Sequence, residues 1–357
     1  MIFEQKLLEL KIILDKKLEI FFAKIKAKDL FIDHSYKVLS NYVMDGGKRI
    51  RPAALIMAYQ GFGGSDDEIY DIALSVEFMH NSTLVHDDIM DEDSLRRNKP
   101  TIHESMRKWF LKSHQDKNHS GTLFNGAASR FAATAAICDG NVLLSLGSLL
   151  LSSSKLDAVL VRKALRTYSN AYRIINQGQI MDTLLELNEV VKEEDYLAMA
   201  EQKTGELFKA SVKIGAILAG ADETDIESIS NYAGLIATSF QIQDDIMDIN
   251  PKMNKGHEIG SDIRKGKKTL LMIKSLELAR SRDRKLLAEI MTKNNATDEE
   301  VQTAIEIINQ SGALGYCNRI ASDNSFEAKK ILGRIGLKKE AFDFFSGLAD
   351  FVVERKV

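Results

Sequence analysis

Long segments of this chain repeat apolar residues every three or four positions, which is the period of one face of an α-helix. Between residues 195 and 220, for example, Tyr196, Met199, Leu207, Phe208 and Val212 follow this spacing. No segment alternates apolar and polar residues as a half-buried strand does. Proline interrupts helix interiors, and only three of the 357 residues are proline. The pattern therefore predicts an all-α fold.

The helical spacing covers most of the chain. Helices are predicted over about residues 3–44, 52–62, 68–92, 127–152, 156–188, 195–220, 223–250, 268–293, 298–313 and 324–355. No Pro-rich or Ser-rich linker and no short repeat separates them. We therefore expect one large helical domain over residues 1–357.

Residues 107–126 interrupt the helical pattern with a run of polar side chains, and we expect a loop there. His103, His114 and His119 lie in or near this segment. They leave a metal site open as an alternative, but a solvated surface loop is the favoured interpretation.

Charge and cysteine content limit the partners and the location of the protein. The chain has 48 basic and 51 acidic residues and a net charge of −3, so no global field favours nucleic acid or an anionic membrane. Binding of a charged ligand must then depend on local clusters. Cys138 and Cys317 form no metal-binding pattern, which indicates reduced thiols and a cytoplasmic location.

No membrane span is expected from the apolar segments. The N-terminus lacks the basic-then-apolar layout of a signal peptide. The run GNVLLSLGSLLLSSS at residues 140–154 is shorter and more polar than a span of about 20 apolar residues, and a buried helix is the preferred interpretation.

The pentapeptide DDIMD occurs twice, at residues 87–91 and 244–248, each time within an apolar helical stretch. Residues four apart share a helix face, so Asp87 lies beside Asp91 and Asp244 lies beside Asp248. Mg²⁺ binds through one or two carboxylates together with substrate phosphates. A merely solvated acidic face would not need apolar flanks. Two such motifs facing each other predict a clamp that holds a diphosphate through several metal ions, and paired glycosidase carboxylates are a poorer match.

Basic residues accompany both acidic motifs. In DGGKRIRP (45–52), Lys48 and Arg51 stand at i,i+3 and are expected on one face beside two glycines that permit close approach of an anion. Arg96 and Arg97 follow the first motif directly, and the arginine fork suits phosphate oxygens. A metal-free diphosphate pocket is favoured here over a plain surface patch.

The second half of the chain supplies further polar candidates. Lys203 and Thr204 lie mid-helix among apolar residues, where a lysine that only snorkels is the alternative. Gln241 stands three residues before Asp244 and therefore shares its face. Lys267 ends a Gly- and Lys-rich loop of the kind that folds over a bound anion.

Taken together, the motifs resemble those of the trans-isoprenyl diphosphate synthases, the polyprenyl synthetase family. The matching stretches lie in the family's order within about residues 40–275: GGKRIRP (46–52), HNSTLVHDDIMDEDSLRRNKPTIH (80–103), QKTGELF (202–208), FQIQDDIMD (240–248) and GSDIRKGKKT (260–269). The resemblance implies long antiparallel helices around a central cavity, and a homodimer.

The resemblance also implies roles for individual residues. Isopentenyl diphosphate would bind to Lys48, Arg51, His80 and Arg97. About three Mg²⁺ ions would bind with the diphosphate, through Asp87, Asp91 and Asp244. The allylic diphosphate would contact Arg96, Lys203, Thr204, Gln241 and Lys267. The catalytic set would be Asp87, Asp91, Asp244, Lys203 and Lys267. The allylic C–O bond would ionise, the isopentenyl double bond would attack the cation, and loss of a proton would leave a chain five carbons longer.

Two departures from the family pattern stand out. A GKP-type turn usually follows the second motif, whereas this chain has Gly256, His257 and Glu258, with Lys255 displaced. We therefore carry over no contact for His257. Residues 107–126 look like an insertion relative to the usual short connection.

Small side chains below the first motif predict a long product. Ser82 and Thr83 stand five and four residues before Asp87, about one helical turn of 5.4 Å below it. Short-chain members of the family carry aromatic rings there, and Met79 further along is bulky but flexible. We expect a product of C20 or longer, with C20–C25 favoured.

Two alternatives belong to other classes. A terpene cyclase would share the helices and one DDxxD motif, but it would not need a second diphosphate pocket at Lys48 and Arg51. An inactive partner subunit that binds a prenyl diphosphate would be expected to lose motif residues, which this chain retains.

Overall fold

The computed structural model describes residues 2–188, 190–250, 259–293 and 296–354. Regular structure in these ranges is almost entirely helical, which confirms the predicted fold class. In chain order the α-helices are α1 (Ile2–Lys24), α2 (Leu30–Met44), α3 (Ile50–Gly61), α4 (Ile69–Ile72), α5 (Leu74–Met90), α6 (Ile102–Ser113), α7 (Ala127–Ser152), α8 (Ala158–Leu187), α9 (Glu193–Ala200), α10 (Glu206–Leu218), α11 (Glu223–Asp248), α12 (Ser261–Arg264), α13 (Leu270–Leu278), α14 (Ser281–Met291), α15 (Asp298–Ser311), α16 (Ala313–Leu332) and α17 (Lys339–Glu354).

Three short elements are not α-helical. Strands β1 (Leu95–Arg96) and β2 (Lys99–Pro100) form a two-residue antiparallel hairpin that the helical periodicity did not predict. A π-helical segment (Glu201–Gly205) joins α9 to α10. Both irregularities fall on predicted site residues, where such departures are frequent.

The chain folds into two compact units. The first contains Met1–Phe3, Met57–Gly64 and Arg166–Val357, and the second contains Glu4–Ile56 and Ser65–Leu165. Helices α3 and α8 contribute residues to both units. The single domain expected over residues 1–357 stays a prediction.

In the second unit, α5 packs along α7. Helix α5 is buried over its whole first half, from Leu74 to Met79. Gly140 permits the close approach, because a Cβ there would lie 2.3 Å from Nε2 of His86. Among the described residues, α7 is the one helix long and apolar enough to cross a membrane, by length and composition only. About a third of this apolar stretch is buried, and its buried residues include Leu143 and Leu151. The expected buried helix is therefore buried on one side only.

In the first unit, α11 packs against α10, α16 and α17. The rings of Tyr232, Phe344 and Phe345 are fully buried there, and the Tyr232 hydroxyl donates a hydrogen bond of 2.6 Å to the Phe345 carbonyl. Asp222 caps the start of α11 by accepting from the Asp225 N–H at 2.8 Å. This cap and this core position the end of α11, which carries the second DDIMD motif.

Several predicted helices are divided where backbone groups find local partners. The predicted helix 3–44 is wrong at its middle, because Asp29 caps α2 and accepts from the N–H groups of Phe31 and Ile32. The predicted helix 268–293 breaks at Ala279 and Arg280, which are extended. The last predicted helix is instead α16 and α17.

The predicted loop at 107–126 is partly wrong, since α6 continues through Ser113. Residues 114–126 are the non-helical part. Asp116 Oδ1 accepts from the Ala128 N–H at 3.0 Å and so caps α7, and Asn118 pairs with Gly126. The loop is therefore closed at its ends by its own hydrogen bonds.

Asp139 gives the second unit a testable pH dependence. Its carboxylate is 4% exposed and accepts only the Ser35 hydroxyl in the described structure, and burial raises the pKa of Asp139 to about 6. Below the unfolded pKa of 3.8 both states are protonated and no cost arises. Between that pH and about 6, Asp139 is ionised in the unfolded chain but protonated in the folded protein. The free energy of unfolding therefore falls by up to about 3 kcal/mol over this range.

Asp139→Asn is therefore expected to raise the free energy of unfolding at pH 7.5 and to have little effect near pH 4. Urea unfolding followed by circular dichroism at both pH values measures this. Asp67→Asn, at an exposed position, is the matched control and should show no pH-dependent difference. An equal effect of Asp139→Asn at both pH values would contradict a buried ionised carboxylate.

Candidate active site

Both DDIMD motifs lie at the C-terminal ends of helices. Helix α5 ends at Met90 with Asp91 as its C-cap, and α11 ends at Asp248. The exposed carbonyls of a helix C-terminus carry partial negative charge, which disfavours carboxylates and favours cations. Negative charge at both places is therefore stabilised by bound cations or by neighbouring basic side chains.

The second aspartate of the first motif is turned inward. Asp88 is 1% exposed and accepts hydrogen bonds from the Tyr42 hydroxyl at 2.7 Å and from Arg96 Nε at 2.6 Å. Burial raises the pKa of Asp88, whereas Arg96 lowers it. Asp88 therefore orients Arg96, and Asp87 with Asp91 form the other face of the helix end.

A tight turn positions the arginine pair. Arg97 and Asn98 join β1 to β2 with φ angles of 53° and 61°, as in the two-residue hairpin turn that requires positive φ at both positions. Arginine rarely adopts this conformation, and such strain is common at functional sites. Arg97 Nη1 donates to the Asp45 carbonyl at 2.8 Å. A small pocket beside the turn is lined by Tyr42, Asp45, Leu84, Arg96, Arg97, Lys99 and Pro100.

The glycine loop before α3 lies against Arg97. Gly46 and Gly47 have φ angles of 88° and 97°, and a Cβ on Gly46 would lie 3.5 Å from Arg97 Cδ. Helix α3 begins at Ile50, so the expected helical i,i+3 relation of Lys48 and Arg51 is wrong. Arg49, which lies between them, has a φ angle of 55°.

Arg49, which sequence reasoning left aside, anchors this loop. Its side chain is buried and donates to Asp15 at 2.9 Å, to Glu77 at 2.5 Å and to the Val43 carbonyl at 2.9 Å. The charge of Arg49 is thus neutralised inside the fold. Arg51 takes a different environment beside His80.

His80 is a neutral ring among cations. Arg51 Nη1 lies 3.4 Å from His80 Nε2, and burial together with four arginines holds the pKa of His80 well below its usual value. A guanidinium only donates, so Nε2 accepts and the proton is assigned to Nδ1. The structure therefore brings together three of the four residues predicted to bind isopentenyl diphosphate, namely Arg51, His80 and Arg97.

The second motif repeats the inward turn of its middle aspartate. Asp245 is 6% exposed and accepts from the Tyr196 hydroxyl at 2.5 Å and from Gln241 Nε2 at 3.0 Å. Burial, with Asp262 and Asp244 nearby, raises the pKa of Asp245. Gln241 Oε1 in turn accepts from the Thr204 hydroxyl at 2.9 Å, so two predicted site residues are joined in one chain of hydrogen bonds.

Lys203 is held by a residue that the motif analysis missed. Its ammonium lies 2.5 Å from Asp182 on α8. The backbones approach closely here, because a Cβ on Gly178 would lie 2.3 Å from the Lys203 nitrogen. The available sequence signal for this contact was a glycine and an aspartate one turn apart on α8, Gly178 and Asp182.

The end of α11 is tied to α12. Asp248 accepts from the N–H groups of Ser261 at 3.2 Å and Asp262 at 3.1 Å. Lys267 follows α12 and lies near Asp262, whose pKa is raised by burial to about 6 although Lys267 lowers it. The sequence departures at Lys255 and His257 lie outside the described residues.

The donor set fits Mg²⁺ that is completed by substrate. Within the described ranges no group of three or more His, Cys, Asp or Glu side chains forms a metal cage, and none includes His103, His114 and His119. Mg²⁺ needs only one or two carboxylates when phosphates and waters fill its remaining positions. Asp87, Asp91 and Asp244 at helix C-termini suit this mode of binding.

Comparison with known proteins points to one family. A sequence model described as polyprenyl synthetase matches residues 33–308. A geranylgeranyl diphosphate synthase of Methanosarcina mazei is 35% identical over 295 residues, 82% of this chain and 82% of that protein. A short chain isoprenyl diphosphate synthase of Methanocaldococcus jannaschii is 36% identical over 280 residues, 78% of this chain and 77% of that protein.

The fold is also shared with a solved structure of similar sequence. A geranylgeranyl pyrophosphate synthetase from the archaeon Geoglobus acetivorans superposes with a TM-score of 0.80 at 30% identity, covering 99% of this chain and 100% of that one.

The contact at Gly178 predicts opposite effects for two glycine substitutions. Gly178→Ala should lower the free energy of unfolding by about 1–3 kcal/mol, because the methyl group meets the π-helical backbone. Gly315→Ala, in helix α16 with open space around it, should raise it by about 0.5–1 kcal/mol. Denaturant titrations of both variants measure this, and equal stabilisation by the two changes would contradict the close approach.

Proposed function

Because this chain belongs to the polyprenyl synthetase family, we propose that it is a prenyltransferase that condenses isopentenyl diphosphate with an allylic diphosphate, head to tail and in trans, to a polyprenyl diphosphate of C20 or longer. The observation that carries the proposal is the chemistry of the predicted site residues. Arginines surround a neutral histidine, and an acidic motif lies at the C-terminus of each of α5 and α11. A prenyl transfer between two diphosphates uses one metal-free and one Mg²⁺-dependent site.

Isopentenyl diphosphate would bind at Lys48, Arg51, His80 and Arg97. The strained turn at Arg97 and the glycine loop below it support this assignment, since both hold the guanidinium before any ligand arrives. Because His80 is neutral, the positive charge of the pocket comes from the arginines. The His80 ring accepts a hydrogen bond from Arg51. Preorganised cations lose little free energy to rearrangement on binding an anion.

The allylic diphosphate would contact Arg96, Lys203, Thr204, Gln241 and Lys267. Each of the first four is oriented by a partner: Arg96 by Asp88, Lys203 by Asp182, and Thr204 with Gln241 by Asp245. About three Mg²⁺ ions, held through Asp87, Asp91 and Asp244, would neutralise the leaving diphosphate. Basic side chains of the protein would bind the diphosphate oxygens as the allylic C–O bond breaks. They would stabilise the negative charge that develops on those oxygens.

The side chains about one turn before the first motif support a product of C20 or longer. Ser82 and Met79 are fully buried, and half-buried Thr83 donates to the His80 carbonyl at 2.8 Å. None of the three is a rigid ring. The name of the Methanosarcina mazei relative, a geranylgeranyl diphosphate synthase, supports C20 for this chain, and C20–C25 is the range we propose.

A homodimer in the cytoplasm is the state we propose for the enzyme. Helix α7 exposes Ile137 at 45% and Leu149 at 57%, two apolar side chains that a second copy would cover. Free thiols at exposed Cys138 and buried Cys317 support a reducing location.

Removal of either metal-binding carboxylate should abolish turnover by the purified protein. Asp87→Asn and Asp244→Asn are each expected to lower kcat at least about a thousandfold, because loss of a metal contact costs several kcal/mol at the leaving group. Radiolabelled isopentenyl diphosphate with farnesyl diphosphate and Mg²⁺ provides the assay. Exposed Glu92→Gln, just beyond the first motif, is the control and should retain activity. Undiminished turnover of Asp87→Asn would contradict the metal assignment, and an inactive wild-type protein would favour the partner-subunit alternative.

Product length should respond to a ring placed one turn below Asp87. The wild-type protein is expected to extend farnesyl diphosphate, whereas Thr83→Phe should stop at C15 because the ring fills the space along the growing chain. His86→Phe is the control, since His86 points instead at Gly140. Chromatographic sizing of the dephosphorylated products measures both, and farnesyl diphosphate left unextended by the wild type would overturn the chain-length proposal.

A further inference from the structure

A cluster of aromatic rings lies where three segments of the second unit meet. Phe31 at the start of α2 lies 4.6 Å from Trp109 near the end of α6, and 5.5 Å from Phe131 at the start of α7. Phe110 lies 5.1 Å from Phe131. All four rings are only half-buried. The residues that build this cluster include part of the segment 107–126, to which the proposed reaction assigns no role.

Aliphatic side chains project from the same three segments. Leu30, the first residue of α2, is 87% exposed, and Leu123, in the loop that leads into α7, is 85% exposed. Leu111, beside Phe110, is also exposed. Isolated exposed leucines are ordinary, but Leu30 adjoins the half-buried ring of Phe31 and Leu111 adjoins that of Phe110 in the chain, and exposed apolar residues gathered in this way mark an interaction site.

This surface is strongly basic although the whole chain is slightly acidic. Residues 24–34 and 104–131 contain eight Lys and Arg, three Asp and Glu104, a local charge of +4, against −3 for the whole chain. Two of the three aspartates, Asp29 and Asp116, cap helices through their backbone N–H groups. Lys28, Lys112, Lys117 and Arg130 are exposed and form no ion pair within the part of the chain that the structure describes.

We propose that this basic aromatic surface, formed by Leu30, Phe31, Trp109, Phe110, Leu123 and Phe131 with the lysines around them, docks the protein on an anionic lipid bilayer. Aromatic rings sit favourably at the level of the headgroups, and leucines gain free energy by entering the acyl region. Each lysine near an anionic leaflet adds about 1 kcal/mol, about fivefold in binding.

Charge decides between a bilayer and other occupants. A second copy in a symmetric dimer would bring the same basic surface against itself, and like charges facing each other are unfavourable. A nucleic acid would satisfy the lysines but would leave the two projecting leucines without an apolar partner. An anionic bilayer satisfies both, with phosphates at the headgroups and hydrocarbon beneath them.

Flotation with vesicles tests the proposal on the full-length protein. Wild-type protein is expected to float with vesicles of equal parts phosphatidylcholine and phosphatidylglycerol, and to remain unbound with phosphatidylcholine alone. Raising the salt to 1 M, where the screening length is about 3 Å, should release most of the protein. Failure to bind the anionic vesicles at low salt overturns the proposal.

Two double variants locate the surface. Lys112→Ala with Lys117→Ala should weaken partitioning into anionic vesicles about 25-fold, from about fivefold for each charge. Leu30→Ser with Leu123→Ser should weaken it at least about tenfold, because two apolar side chains no longer enter the bilayer. Leu187→Ser, at a position 77% exposed on α8, and Lys285→Ala at an exposed position are the matched controls and should bind as the wild type does.

Further measurements separate the other occupants. Circular dichroism and prenyl transfer between short, water-soluble substrates should be unchanged in the double variants, since none of the four residues lies in the proposed active site. Light scattering should give the same mass for all variants, and a lower mass for either double variant would assign the surface to a second copy and overturn the proposal. Binding to single-stranded DNA or to an acidic protein without binding to vesicles would likewise overturn it.

Discussion

The hydrogen bond between a tyrosine and the second aspartate of each DDIMD motif supports the rest of the site. Tyr42 donates to Asp88 on α5, and Tyr196 donates to Asp245 on α11. Each inward aspartate then orients a residue predicted to contact the allylic diphosphate, Arg96 in one case and Gln241 in the other. The two acidic motifs thus use the same internal arrangement in different surroundings.

This arrangement explains how carboxylates can crowd the end of a helix. Like charges one turn apart and the partial negative charge of the helix C-terminus both oppose the crowding. The second aspartate of each motif is separated from the other carboxylates by burial and hydrogen bonding. Asp88 accepts a hydrogen bond from the Arg96 cation, and Asp245 accepts from the neutral side chains of Tyr196 and Gln241. The outer carboxylates remain at the helix end, where Mg²⁺ and a diphosphate would relieve their repulsion in the proposed reaction.

Among the described non-glycine residues, positive φ occurs at Arg49, Glu92, Arg97 and Asn98, in the chain segments that adjoin the glycine loop or follow the first acidic motif. Arg49 and Arg97 both adopt positive φ, and Gly46 and Gly47 lie directly beneath the Arg97 side chain. In the other unit, the π-helical turn at Lys203 depends on the missing side chain of Gly178. Positive φ and π-helical backbone do not occur in a regular α-helix, so each of these positions costs conformational free energy.

Much of this could be predicted from the chain as written. Helical periodicity indicated the all-α class, and i,i+4 spacing placed Asp87 beside Asp91 without knowledge of any distant residue. Local capping was harder to predict, and the helix expected across Asp29 was wrong because a single side chain there competes for the backbone N–H groups. The polar composition of residues 107–126 predicted a loop, although α6 continues to Ser113. Trp109 in this last part of the helix contacts Phe31 and Phe131, and such tertiary contacts cannot be predicted from the local pattern.

Only the tertiary structure shows which contacts distinguish neighbouring residues of the same type. Arg96 and Arg97 are adjacent and chemically identical, and no local pattern separates them. The hydrogen bond to Asp88 distinguishes Arg96, and a turn with positive φ distinguishes Arg97. Spacing already separated Asp87 from Asp88, but only the fold shows that Asp88 is bound by Tyr42. The sequence by itself determined the all-α class and which helix faces carry the acidic motifs, because those depend on neighbours three or four residues away. Partners such as Asp182 for Lys203 come from distant segments, and only the packing of the whole chain brings them within hydrogen-bonding distance.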